Sequence, residues 1–156
     1  MTQWEAWVHQ FPSLITIKFQ RCLRPVAVDP AVLHVFCDAS GKAYGAAAYL
    51  ATPGRRELVM ARGRLAPTKP STIPRLELRA AVIAVELAQT VQRALKGPLS
   101  STVFWSDSAT ALAWITNDDL RLKPFVANRV QAIREKTGPE QWRYVPTKLN
   151  PADMVS

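Results

Sequence analysis

Val32-Leu33-His34-Val35-Phe36-Cys37-Asp38-Ala39-Ser40-Gly41 is the stretch on which the fold turns. Residues 32–37 are apolar on both faces, the pattern of a strand in the middle of a sheet. Asp38-Ala39-Ser40-Gly41-Lys42 then reads as a turn. Residues 44–51 form a second strand rich in small side chains, Pro53-Gly54 the next turn, and residues 57–65 a third strand, which together predict an antiparallel meander. A loop rich in Pro and Thr follows, and after it the clearest helix, over 74–95. Pro74 suits the first helical turn, and Gly97-Pro98 stops the helix. Thr102-Val103-Phe104-Trp105 is a fourth strand, residues 108–115 and 125–136 are shorter helices, and Gln141-Trp142-Arg143-Tyr144-Val145 is a fifth strand. Asn150-Pro151 opens a last helix, expected to be cut off at Ser156. Three strands, a helix, a strand, helices, a strand and a helix predict an α/β fold. Its five-stranded mixed sheet has three antiparallel strands and then parallel ones, flanked by helices.

Working outward, residues 1–28 stand apart from a domain over 29–156. Trp4, Trp7 and Phe11 suggest a short amphipathic helix stopped near Pro12, and residues 14–19 read as a strand. Pro25 and Asp29-Pro30 punctuate the chain before the main domain. No internal repeat or low-complexity tract interrupts it.

The bulk composition narrows the class of function. Of 156 residues, 48% are apolar and 21% charged, which is ordinary for a packed domain. Twenty Lys and Arg against twelve Asp and Glu leave a net charge of +8, an excess that attracts polyanions, nucleic acid being the commonest. Cys22 and Cys37 make no disulfide framework, and Cys37, inside an apolar run, is expected to be a buried reduced thiol. His9 and His34 are the only histidines, so there is no Cys/His cluster for zinc. No apolar run is long enough to span a membrane, and the N-terminus lacks a signal pattern. A reducing, intracellular (cytoplasmic) setting is expected.

Four acids sit where solubility does not require them. A helix turns about 100° per residue, so Glu77 lies about 160° from Arg79 on the helical wheel. Arg79, Glu86 and Arg93 recur every seven residues and are expected to mark the solvent face. Glu77 aligns instead with Ala84, Ala88, Val91 and Leu95, facing the sheet, where an unpaired carboxylate is unfavourable. The helix dipole explains an acid in the first turn but not the choice of face. Asp38 follows the first strand directly, either as a ligand-bearing residue or as an Asx-turn closing that strand. Asp107 ends the fourth strand, and N-capping of the next helix competes with a site role. Asp153 follows Asn150-Pro151, where a capping arrangement is the alternative. Four carboxylates converging on one place would repel unless divalent cations lay among them, and oxygen-only donors suit Mg²⁺ or Mn²⁺.

Phe36-Cys37-Asp38-Ala39-Ser40, Ile73-Pro74-Arg75-Leu76-Glu77-Leu78, Phe104-Trp105-Ser106-Asp107-Ser108 and Val145-Pro146-Thr147-Lys148-Leu149-Asn150-Pro151-Ala152-Asp153 resemble the RNase H domain of Bel/Pao-type retrotransposons. The order Asp, Glu, Asp, Asp is that of the RNase H family, and the resemblance runs over about residues 29–156. It implies the RNase H-like fold, with Asp38, Glu77, Asp107 and Asp153 as catalytic metal ligands. It also implies endonucleolytic cleavage of the RNA strand of an RNA–DNA hybrid, with two Mg²⁺ ions (or Mn²⁺) clamping the attacking and departing oxygens. Residues 1–28 resemble the segment tying the reverse transcriptase to this domain, and the setting implied is a virus-like particle or replication complex inside the cell. Ser40, Lys42, Arg75, Ser108, Asn128 and Arg129 are candidate contacts to the hybrid. Many RNase H enzymes carry a His before the last acid; here the loop reads Thr147-Lys148-Leu149, and Lys148 is the candidate substitute.

Two other readings remain open. A non-catalytic nucleic-acid-binding tether would share the charge and the fold. An aspartic peptidase would use the Asp107-Ser108-Ala109 triplet, but that chemistry needs two apposed Asp residues in a mostly β chain, which the long helix over 74–95 opposes.

Overall fold

A computed structural model describes residues 3–17, 31–95 and 99–156. Two short helices come first, α1 (Gln3–Val8) and α2 (Phe11–Leu14), followed by the meander β1 (Ala31–Ala39), β2 (Ala43–Thr52) and β3 (Arg55–Leu65). The long helix α3 spans Ile73–Ala94, β4 Leu99–Ser106, α4 Ala109–Thr116, α5 Pro124–Arg134 and β5 Trp142–Tyr144. Short 3₁₀ turns at Pro139–Gln141, Thr147–Leu149 and Pro151–Met154 complete the chain. The five strands form one sheet in the order β3-β2-β1-β4-β5. β1–β2 and β2–β3 pair antiparallel; β1–β4 and β4–β5 pair parallel, as the alternation of strands and helices implied.

β1 is central because its inward side chains are apolar and fill the sheet–helix layer. Leu33, Val35 and Cys37 are at most 1% exposed and pack with Leu76, Ile83, Leu87 and Val91 of α3. Burying each such aliphatic side chain contributes about 1.5–3 kcal/mol. The small residues of β2 let α3 approach, since Ala46 and Ala48 are fully buried facing Ala80, Ala84 and Ala88. The opposite face of β1 is only half-buried rather than covered. Phe36 stacks on Trp105 at 5.9 Å and meets Tyr49 edge-on at 5.8 Å, while the Trp105 indole donates to His34 Nδ1.

Three expectations need correction. The strand expected at 14–19 is not formed over 14–17: Leu14 ends α2, and Ile15 and Thr16 continue as a turn. The cause is local, because Pro12 sits in the first turn of α2 and the Ser13 and Thr16 hydroxyls bond back to carbonyls three residues earlier. Pro12 therefore starts a second helical turn rather than stopping the first. The last element is a 3₁₀ turn over Pro151–Met154, not an α-helix. Residues 18 and 19, the Pro25 and Asp29-Pro30 breaks and Gly97-Pro98 lie outside the described residues.

The C-terminal turn is anchored on the sheet. The Asn150 amide donates to the Cys37 carbonyl at 3.0 Å. Val155 lies over Gly45 and Gly63; a Cβ on Gly45 would meet the Arg62 carbonyl at 2.5 Å and Val155 Cγ1 at 3.1 Å. Glycine at position 45 is what permits this approach.

Candidate active site

The strand register brings the acids to one end of the sheet. Cys37 of β1 pairs with Ser106 of β4, and the next residues are Asp38, still within β1, and Asp107, directly beyond the end of the adjacent parallel strand β4. Glu77 enters from the first turns of α3, and its Oε2 accepts a hydrogen bond from Ser108 Oγ at 2.5 Å. Asp153 stands on the last 3₁₀ turn, exposed, and its charge reaches Asp38.

The alternatives at each acid resolve through its neighbours. Ser108, not Asp107, caps α4: its Oγ accepts from the Ala111 amide at 3.1 Å. Asp107 is thereby released, and its Oδ1 is buried with no hydrogen-bond partner. The turn after β1 is closed by Ser40, whose Oγ accepts from the Lys42 and Ala43 amides. Asp38 is thus not needed as the turn-closing residue; its Oδ2 accepts instead from the Ser156 hydroxyl. At the last acid the capping arrangement holds, with the Asn150 side chain accepting from the Ala152 amide and Pro151 beginning the turn.

Burial and mutual repulsion shape the electrostatics. Burial is the main reason the Asp38 carboxyl is raised above its ordinary range; the Ser156 hydroxyl opposes this, and the Asp107 charge adds to it. Glu77 is likewise raised, by burial first, against the Ser108 bond and with the charges of Asp107 and Asp38 adding. Beneath them, Cys37 is a buried thiol pushed up to about 12, by burial first and then by these acids. Free carboxylates held together in this way favour a proton or a cation.

The donor set fits a hard divalent cation. It is all oxygen, it includes an orphaned buried carboxylate oxygen on Asp107, and two of its acids, Asp38 and Glu77, are raised above their ordinary range chiefly by burial. Among the described residues no three such side chains already stand in metal-ligating geometry, and the Ser108 and Ser156 hydroxyls each occupy one oxygen of an acid.

The candidate contacts divide. Lys42, Asn128 and Lys148 are exposed, and Ser40 is spent on its turn. Ser108 is buried, and its hydroxyl donates to Glu77 and accepts from the Ala111 amide at the α4 cap. Arg75 and Arg129 gather on the Phe125 ring, at 5.0 and 3.7 Å. Arg79 is not on the solvent face: its guanidinium lies 5.5 Å from Phe125 and 6.0 Å from Tyr44. The reason is that α5 covers that flank of α3. Sequence reasoning missed this residue together with Ser156 and the Asn150 clamp. The i, i+4 pairs Arg75/Arg79 and Phe125/Arg129 were the available signal.

A family model described as the Pao retrotransposon-like RNaseH-like domain matches residues 1–108. No curated protein matches the sequence. Among solved structures, the RNase H1 of the archaeon Halobacterium salinarum is similar with a TM-score of 0.57 at 19% identity, over 81% of this chain and 94% of that one. The N-terminal RNase H domain of a Mycobacterium tuberculosis protein gives 0.58 at 13% identity, over 81% and 91%. LC11-RNase H1, solved in complex with an RNA/DNA hybrid, gives 0.57 at 14% identity, over 80% and 92%. These likenesses carry the fold.

Proposed function

Because the chain belongs to the Pao retrotransposon-like RNaseH-like domain family, we propose that it is a ribonuclease H, hydrolysing the RNA strand of RNA–DNA hybrids during reverse transcription. The observation that carries this reading is the convergence of Asp38, Glu77 and Asp107, with one buried Asp107 oxygen left without a partner. An acid arrangement serving stability alone would be paired with bases, as Glu57, Glu86 and Asp118 are with Arg55, Arg62 and Arg134.

In this reading Asp38, Glu77 and Asp107 hold two Mg²⁺ ions, or Mn²⁺, and Asp153 supplies a fourth carboxylate from the solvent side. The bound ions supply charge stabilisation for the attacking and departing oxygens of the phosphodiester. The chain's own residues set the geometry. β1 and β4 fix Asp38 and Asp107 side by side, Ser108 aims Glu77, and the Asn150 clamp brings the last turn against β1. Exposed Lys148 provides a cation beside that turn. Selection of RNA at the cut would come from contacts to 2′-hydroxyls.

We further propose that residues 1–28 form the connection with the reverse transcriptase of the same polyprotein, in a replication complex inside the cell. Trp4 and Trp7 of α1 are at least half exposed and close on each other at 5.1 Å, an apolar surface suited to a neighbouring domain. Foamy virus protease-reverse transcriptase, a similar structure at 12% identity and TM-score 0.50, is a longer chain, of which this one covers 26%.

The test is incubation of the full chain with labelled RNA–DNA hybrid, in Mg²⁺ or in chelator, beside Asp38→Asn and Glu77→Gln. Cleavage by the wild type only, and only with Mg²⁺, is expected; equal cleavage by wild type and variants would overturn the assignment. Binding without cleavage under every condition would identify the tether reading instead. The peptidase reading finds no support in the fold, where the acids beside Asp107 are Asp38 of β1 and Glu77 of α3.

A further inference from the structure

α3 covers one face of the sheet, where Leu33, Val35 and Cys37 of β1 are buried. The alternate residues His34 and Phe36 line a groove of about 450 Å³ on the other face. Tyr49 of β2, Trp105 of β4 and Leu149 beside the last turn line it too, together with exposed Arg56 of β3. The acid site uses none of these side chains.

The floor of the groove is aromatic and its polar groups are few. Phe36 stacks on Trp105 and meets Tyr49 edge-on. The Trp105 indole donates to His34 Nδ1 at 3.0 Å, so a neutral His34 carries its own proton on Nε2. Burial, and then the Arg56 charge, hold His34 below the ordinary histidine range and so keep it neutral. Among the described residues no ion pair joins Arg56. Rings, one imidazole N–H and one cation suit an occupant that brings aromatic side chains and a negative charge.

The chain itself carries a segment of that kind. Trp4, Trp7 and Phe11 follow one another at helical spacing and form a single row, with ring centres 5.1 and 4.5 Å apart. They are 68, 50 and 43% exposed, and every residue from Trp4 to Ile17 is exposed, so this row covers nothing in its own chain. In a chain of net charge +8, residues 3–17 contain one acid, Glu5, and no Lys or Arg.

We propose that the groove receives α1 and α2 of a second copy of this chain, in a reciprocal exchange that closes a two-fold dimer. Each copy gives one helix pair and receives one, so neither surface is left over. The area suffices. Rings of this size bury roughly 150–250 Å² each, and about half of each is still exposed. Three rings from each copy, with the groove surface they cover, therefore reach the roughly 1,200 Å² at which specific interfaces begin. The proposal goes beyond the nuclease reading and does not rest on it; the neighbouring domain that α1 meets is a second copy of this one.

Sedimentation velocity of the full chain, from low micromolar to millimolar concentration, tests this. A monomer–dimer equilibrium is expected. Trp7→Ser should weaken it about thirtyfold or more, as loss of a central ring at an interface does. Arg56→Glu and Glu5→Lys should each weaken it about tenfold. An equal mixture of those two variants should recover wild-type association, because each mixed contact again joins unlike charges. Arg93→Glu, the same change of charge at an exposed position on α3, should behave like the wild type. All four positions are exposed, so folding is not at stake. Single-chain mass at every concentration overturns the proposal, as does a dimer indifferent to both Trp7→Ser and Arg56→Glu. A monomer in which Trp7→Ser shifts the Trp105 Nε1–H resonance would give the groove to the chain's own helices, and that too overturns the second copy.

Discussion

Like charges are crowded at two places beside the start of α3, and the two are built by different means. Two of the acids sit at strand ends, Asp38 in the last residues of β1, paired with Gly45 of β2, and Asp107 directly beyond β4; the third, Glu77, is on α3. Hydroxyls aim two of them, Ser108 at Glu77 and Ser156 at Asp38. The arginines sit on two helices and are held by the face of Phe125, with one hydrogen bond among them. Hydrogen-bonded carboxylates on rigid elements are fixed in position, as cations of defined coordination require. Stacking on an aromatic face fixes a guanidinium's plane without engaging its N–H edges. The first cluster is held by hydrogen bonds and strand pairing, the second by stacking on one ring.

The sharpest break of that comparison removes one acid. Asp107→Asn should lower Mg²⁺-dependent hybrid cleavage by about a thousandfold or more, measured as initial rate, while hybrid affinity in chelator stays within about twofold. Next in size is the hydroxyl that aims Glu77. Ser108→Ala is expected to lose about ten- to thirtyfold in rate and to require more Mg²⁺, and Ser108→Thr to recover most of it because it restores both the cap and the donor. A Mg²⁺ titration of all three proteins checks this; an unchanged Mg²⁺ requirement would remove Ser108 from the site.

Stability without cation should move the other way. Asp38 and Glu77 are raised in the folded chain, chiefly by burial. As pH rises from below the ordinary carboxylate range toward the raised native values, the unfolded chain releases protons that the folded one keeps. Metal-free stability from these groups therefore falls as pH rises through that window and is not lost below it. Asp38→Asn should raise the metal-free melting temperature at neutral pH by about 2–5 °C and abolish part of the gain that Mg²⁺ gives the wild type. Melting curves with and without Mg²⁺ measure both. The smallest effect belongs to exposed Lys148, in neither cluster: Lys148→Ala should slow turnover by about two- to fivefold without altering the melting temperature.

The order of strands and helices was readable because each element carries its own periodicity: double-sided apolar residues for β1, small residues for β2, a Pro-started stripe for α3. The placement of Glu77 followed from the helical wheel alone. Residues 14–17 misled because Ile15 and Ile17 look like strand residues, whereas Pro12 and two hydroxyls bonding backwards set the backbone. Arg79 was read as solvated because a wheel knows one buried face, and α3 has two, one on the sheet and one under Phe125. Ser108 is a candidate hybrid contact by sequence, and only three dimensions show that its hydroxyl serves Glu77 and the α4 cap together.

The most direct test is anomalous diffraction from crystals of the full chain soaked in Mn²⁺ at neutral pH. The account predicts manganese among the carboxylates of Asp38, Glu77 and Asp107, with a bond to the Asp107 oxygen that is otherwise alone. Saturating manganese with no peak among those three side chains would contradict it.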